Sequence, residues 1–147
     1  MDDMLPDAVS VTVPSNPKYL RFIRHLMALF IEDLPYHSIE AHHIVLAVDE
    51  ACSNVIKYAY DSDETKSIVV TFSCTKDTLK VIIRDFGKKP DLEKIKPRAL
   101  DDLRPGGLGT HIINSVMDKV DYDLSPEEGT ILTLLKSITP VTETEHE

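Results

Sequence analysis

Glu50 and Asn54 stand four residues apart in the run from Val48 to Tyr60. At about 100° per residue, that spacing sets a carboxylate and a neutral amide one turn apart on one side of a helix. A carboxylate can take a proton from a hydroxyl or orient a water. An amide oxygen is a ligand suited to a hard cation such as Mg²⁺. Lys57 falls beside them. With Ile44 as origin, Val48, Ala51, Val55 and Ala59 form a separate apolar stripe, which predicts a buried face. The polar pair alone fits a solvated helix face as well as a reactive one, so its meaning depends on companions elsewhere in the chain.

Three further clusters could supply those companions. Asp85-Phe86-Gly87 closes an apolar run. A carboxylate there could accept a hydrogen bond from an exocyclic amine such as that of adenine, and a glycine two residues on would let a flat ring approach the backbone. An ordinary strand-ending turn has the same pattern. Arg104-Pro105-Gly106-Gly107-Leu108-Gly109-Thr110 places glycines ahead of a helix, where exposed amides and the helix dipole suit phosphate. Glycines also serve as hinges, and no Gly-Lys-Ser/Thr follows, so this is not a P-loop. Gly129-Thr130 begins the last apolar run.

The elements that must position these residues follow from periodicity. Ala8–Pro14 reads as an edge strand. From Lys18 to about Leu34, the spacing of Leu20, Ile23, Leu26 or Met27, and Phe30 predicts a helix that Pro35 ends. A second helix runs from about Ile39 to Tyr60, followed by a charged turn at Asp61–Glu64. Ser67–Cys74 and Thr78–Asp85 are rich in β-branched and bulky residues and read as strands. Between Lys88 and Pro105 the pattern stops. That stretch carries Pro90, Pro97 and Pro105 with Lys88, Lys89, Lys94, Lys96, Arg98 and Arg104, and reads as a long, functional or mobile loop with at most one helical turn. A short helix from Gly106 to about Lys119 and strands at Asp121–Leu124 and Thr130–Leu135 complete the order, with a polar tail from about 139. The expected fold is one α+β domain, a two-layer sandwich with helices on one face of a mixed, mostly antiparallel sheet.

Composition narrows the classes. With 147 residues, 42% hydrophobic and 28% charged, the chain can bury a sizeable core. A net charge of −9 argues against a nucleic-acid backbone as partner. The apolar runs are too short for a bilayer span, and the acidic start is unlike a signal peptide. Cys52 and Cys74 lack ligand-like spacing to histidine and are expected as core-lining thiols in a reducing, cytoplasmic setting. His42 and His43 are adjacent on a helix and diverge by about 100°, a poor arrangement for chelating one ion, although His43 shares the Glu50 side.

Taken in order, these parts resemble the GHKL (Bergerat-fold) ATPases, and within them the stand-alone bacterial anti-sigma factor serine kinases of the RsbW/SpoIIAB type. The likeness spans about Ala8 to Ile138. Glu50-Ala51-x-x-Asn54 resembles the N box. Asp85-x-Gly87 and Gly106-Gly107-Leu108-Gly109 resemble the first two glycine boxes, and Gly129-Thr130 the last. The resemblance implies ATP and Mg²⁺ as cofactors, with Asn54 as the metal ligand and Glu50 as general base toward a serine hydroxyl. It also implies that Asp85 holds the adenine amino group, that Gly87 makes room for the ring, and that Gly107 and Gly109 cradle phosphate. Gly106, Thr110 and Thr130 complete the expected nucleotide contacts. The implied partners are a sigma factor and a STAS-type anti-sigma factor antagonist as protein substrate, with the chain itself a homodimer.

Two positions depart from the pattern. Lys89 stands where many relatives have a second glycine, and Lys57 and Tyr58 stand where a histidine often follows the asparagine. The alternatives are a nucleotide-gated binding module with little or no kinase activity, and an interaction domain that binds no nucleotide.

Overall fold

The computed structural model describes residues 7–32, 41–95 and 107–138. Strand β1 (Val9–Pro14) leads into a 3₁₀ turn, Pro17–Tyr19, whose cap Asn16 accepts from the Lys18 amide at 3.0 Å. Helix α1 (Leu20–Glu32) buries Leu20, Ile23, Met27 and Ile31 at helical spacing. Of the two candidates for its third core position, Met27 is fully enclosed and Leu26 faces outward at 36% exposure. Helix α2 (Ala41–Asn54) buries Ile44, Ala47, Val48, Ala51 and Cys52 and packs against α1. Arg24 of α1 donates to Asp49 of α2 at 2.8 Å. Burial, with Asp49 adding to it, pushes the Cys52 thiol far above its ordinary range, so it behaves as a small apolar side chain.

The predicted helix up to Tyr60 changes character after Asn54. Val55–Ala59 forms a π turn, closed by the Tyr60 amide donating to the Val55 carbonyl at 3.0 Å. The wider turn rotates the chain, so Ile56 and Tyr60 enter the core while Ala59, expected in the buried stripe, is only partly covered.

The sheet comprises β2 (Ser67–Cys74), β3 (Thr78–Asp85), β4 (Lys119–Asp123) and β5 (Thr130–Ser137) with β1, in the order β1-β2-β3-β5-β4. All four pairings are antiparallel. The expectation of a mostly antiparallel sheet holds, and the parallel component expected beside it is corrected: none of the pairings is parallel among the described residues. Strands β3 and β4 do run in the same direction, joined through helix α4 (Gly107–Val116), but β5 lies between them and pairs antiparallel to both. The long connection after β3 includes one helical turn, α3 (Leu92–Ile95).

Side chains alternate along the strands. Ile68, Val70 and Phe72 of β2, Leu79, Val81 and Ile83 of β3, and Leu132 and Leu134 of β5 join the core that α1, α2 and Ile113 of α4 cover. Each large side chain so buried contributes about 1.5–3 kcal/mol. On β3 the next inward position after Leu79, Val81 and Ile83 is Asp85. The alternation therefore carries a carboxylate to the end of an apolar face.

Candidate nucleotide site

Asp85, the last residue of β3, is 5% exposed, and its register partner is Thr130, the first residue of β5, at 3%. The Asp85 carboxylate accepts from the Gly87 amide at 2.9 Å. Burial holds its pKa above the ordinary aspartate range, opposed by that amide, by Arg84 and Lys89 nearby and by the Thr130 amide. The Thr130 hydroxyl is buried and has no hydrogen-bond partner among the described residues. A buried hydroxyl left unpaired is destabilising unless something outside the chain pairs with it. Two polar groups, a carboxylate and an open hydroxyl, thus end adjacent strands in an otherwise apolar face. A carboxylate accepts and a hydroxyl both donates and accepts, so the donor set present fits a ligand edge that carries an amino group, such as that of a purine.

The turn after Asp85 is fastened to the end of the α2 extension. The Lys88 amide donates to the Ala59 carbonyl at 2.9 Å, and the Phe86 amide donates to the Tyr60 hydroxyl at 2.8 Å. That hydroxyl in turn donates to the Ser67 carbonyl at 2.6 Å. A Cβ on Gly87 would lie 2.3 Å from the Ala59 carbonyl oxygen and 2.8 Å from Tyr60 Cδ1. Glycine is thus demanded here by the close approach of the π turn, a different reason from space for a ring. Glu50 and Asn54 lie one turn apart on α2, both half-buried, and Asn54 immediately precedes the π turn. The structure therefore ties the end of the Glu50–Asn54 helix to the Asp85 turn through Ala59 and Tyr60.

The β4–β5 turn is held to the same end of β3 by two basic side chains. Lys89 Nζ donates to the carbonyls of Leu124 at 2.7 Å, Pro126, and Gly129 at 2.9 Å. Arg84 donates to the carbonyls of Asp85 at 2.6 Å and Glu128 at 2.9 Å, and its guanidinium lies 4.3 Å from the exposed Phe86 ring centroid. Gly129 has φ of 73°, and a Cβ there would lie 2.0 Å from the Asp85 carbonyl oxygen.

Gly107 opens α4, and Gly109 and Thr110 lie in its first turn, on a helix that packs against α2. Gly106 and the basic residues Lys96, Arg98 and Arg104 lie outside the described residues. His42 and His43 are exposed, with ring centroids 4.0 Å apart. Among the described residues no cluster of three or more His, Cys, Asp or Glu could hold a metal ion by itself, and no helix is long and apolar enough to cross a membrane.

Sequence reasoning missed Tyr60, Arg84 and the bracing role of Lys89. Tyr60 carried a signal, since a tyrosine closing an apolar helix needs a partner for its hydroxyl when buried. The contacts of Lys89 and Arg84 join residues about forty positions apart and had no local signature.

Comparison with known proteins bears on the family and the fold. Residues 13–136 match the family described as histidine kinase-like ATPase domain. Serine-protein kinase RsbW of Bacillus subtilis is 31% identical over 122 residues, covering 78% of this chain and 76% of the relative. Its namesake in Halalkalibacterium halodurans is 29% identical over 139 residues, covering 89% and 83%. Among solved structures, the RsbU and RsbW domains of a Mycobacterium tuberculosis protein superpose with a TM-score of 0.65 at 16% identity, over 92% of this chain and 34% of that one. The likeness to that structure speaks for the fold alone. The chain belongs to the histidine kinase-like ATPase domain family, in the company of the RsbW serine-protein kinases.

Proposed function

We propose that this protein is an ATP-dependent protein-serine kinase and anti-sigma factor, binding a sigma factor and phosphorylating a STAS-type antagonist in a partner-switching pathway. The observation that carries the nucleotide part is the buried pair Asp85 and Thr130, whose hydroxyl has no partner among the described residues. The kinase part rests on the likeness to RsbW serine-protein kinases together with Glu50, since a protein that only binds nucleotide does not require a carboxylate at that position. The protein partners and a homodimeric state follow from the same likeness. A cytoplasmic setting belongs to this reading too, supported by the free thiols of Cys52 and Cys74.

In this reading Asp85 accepts a hydrogen bond from the adenine amino group and Thr130 pairs with the neighbouring ring edge. The first turn of α4, with Gly107 and Gly109, offers backbone amides to the phosphates. Asn54 would hold Mg²⁺, which when bound neutralises phosphate charge and orients the terminal group. Glu50 takes the proton from the incoming serine hydroxyl as its oxygen bonds to the γ-phosphorus. The bond from that phosphorus to the bridging oxygen breaks, and ADP leaves with the pair of electrons. The closing of the base end by Ala59, Tyr60 and Gly87 keeps Asp85 on the same rigid unit as α2.

Titration calorimetry with Mg-ATP tests the nucleotide site. The native chain binds; Asp85→Asn and Asn54→Ala lose affinity by roughly 100-fold or more, because each leaves a ligand group without its partner. Native affinity in both variants would refute the assignment.

A further inference from the structure

Lys89 stands two residues after Gly87, and its ammonium group is fully engaged. An ammonium has three N–H donors and no acceptor. Here all three meet backbone carbonyls of one turn, those of Leu124, Pro126 and Gly129. To reach a phosphate the side chain would have to release that turn. We infer that Lys89 is a positioning residue: it braces the β4–β5 turn and, through Gly129, holds the Thr130 hydroxyl and the Asp85 carboxylate at their reading distance from the base. The inference rests on the assignment of Asp85 and Thr130 as the adenine-facing pair.

The path is short and made of backbone. Gly129 presses on the Asp85 carbonyl so closely that even a methyl group would not fit, and Thr130 follows it and pairs with Asp85 in register. Asp85 also takes the Gly87 amide, two residues before Lys89 itself. The brace therefore closes a ring from β3, through Lys89 and the turn, back to the end of β3. Arg84 grips the same turn from Glu128 and the Asp85 carbonyl, so loss of Lys89 frees the Leu124–Pro126 side first. Lys88, by contrast, points its ammonium at Asp61, 3.1 Å away and exposed, and takes no part in the ring.

Two measurements on the full chain test this. Amide exchange without nucleotide should quicken in Lys89→Met at Ser125, at 127–130 and at Gly87, stay native in Lys88→Met, and fall between the two in Lys89→Arg. Calorimetry with Mg-ATP and Mg-ADP should give Lys89→Met an affinity loss of roughly ten-fold, the same for both nucleotides, with arginine restoring most of it. Unchanged exchange in Lys89→Met overturns the brace. A loss confined to ATP overturns it too, because that pattern marks a contact to the terminal phosphate. Should the native chain bind neither nucleotide, the adenine assignment fails, and the exchange result alone judges the brace.

Discussion

The Ala59 carbonyl accepts the Lys88 amide at 2.9 Å, joining the last turn of the helix that carries Glu50 and Asn54 to the turn that follows Asp85. Gly87 lies in the same contact, too close to Ala59 for any side chain. Two motifs more than thirty residues apart in sequence thereby become one rigid corner. The π turn makes this possible. A regular helix would keep Ala59 in the core stripe, whereas the wider turn presents its carbonyl to Lys88 and turns Tyr60 inward.

Tyr60→Phe tests that corner. The hydroxyl both donates to Ser67 and accepts from Phe86, so its removal leaves a carbonyl and an amide unpaired. The expected loss is about 1–3 kcal/mol of stability, read from urea unfolding, with weaker ATP binding as the Asp85 turn loosens. Native stability would mean the corner is held elsewhere.

How much of this was legible in the sequence depended on the range of each contact. The strands and the apolar faces of α1 and α2 followed from alternation and from residue type, which are local signals, whereas Asp85 and Thr130 stood out only through the order of motifs that resembles the GHKL pattern. The π turn was not legible, because a fixed period of about 3.6 residues assigns Ala59 rather than Tyr60 to the core. A mostly antiparallel sheet was expected; only the parallel component was not found, because a strand-helix-strand order suggests adjacent parallel strands and only the register reveals β5 between β3 and β4. Lys89 read as a departure from a glycine pattern. Its partners, at Leu124, Pro126 and Gly129, are brought near only by the completed sheet.

Asp85 separates stability from function. Burial raises its pKa, so folding favours the protonated form; that favourable contribution is full below the unfolded aspartate range near ~4 and is lost as pH rises through the higher folded value. Asp85→Asn removes the buried charge. The variant should melt at or above the native temperature at neutral pH, the gap narrowing as pH falls through that window, while Mg-ATP binding is lost. Thermal melts between about pH 4 and 8 check the sign; a gap that widens on acidification contradicts it.

Gly129→Ala should be severely destabilising. It forces a side chain onto a backbone with φ of 73° and places its Cβ 2.0 Å from the Asp85 carbonyl oxygen. A loss of about 2–4 kcal/mol is expected in chemical unfolding, with the β4–β5 turn displaced from Asp85. Native stability in this variant would show that the turn can move without cost.

The central claim is that Glu50 acts as a base beside a nucleotide held by Asp85 and Asn54. It is tested most directly by following transfer of labelled γ-phosphate from ATP to serine on the candidate antagonist proteins of the same genome, for the native chain and for Glu50→Gln. The account predicts serine labelling by the native chain, and in the variant a transfer rate lower by roughly 10²–10⁴-fold with Mg-ATP affinity retained. Full transfer by Glu50→Gln would contradict it.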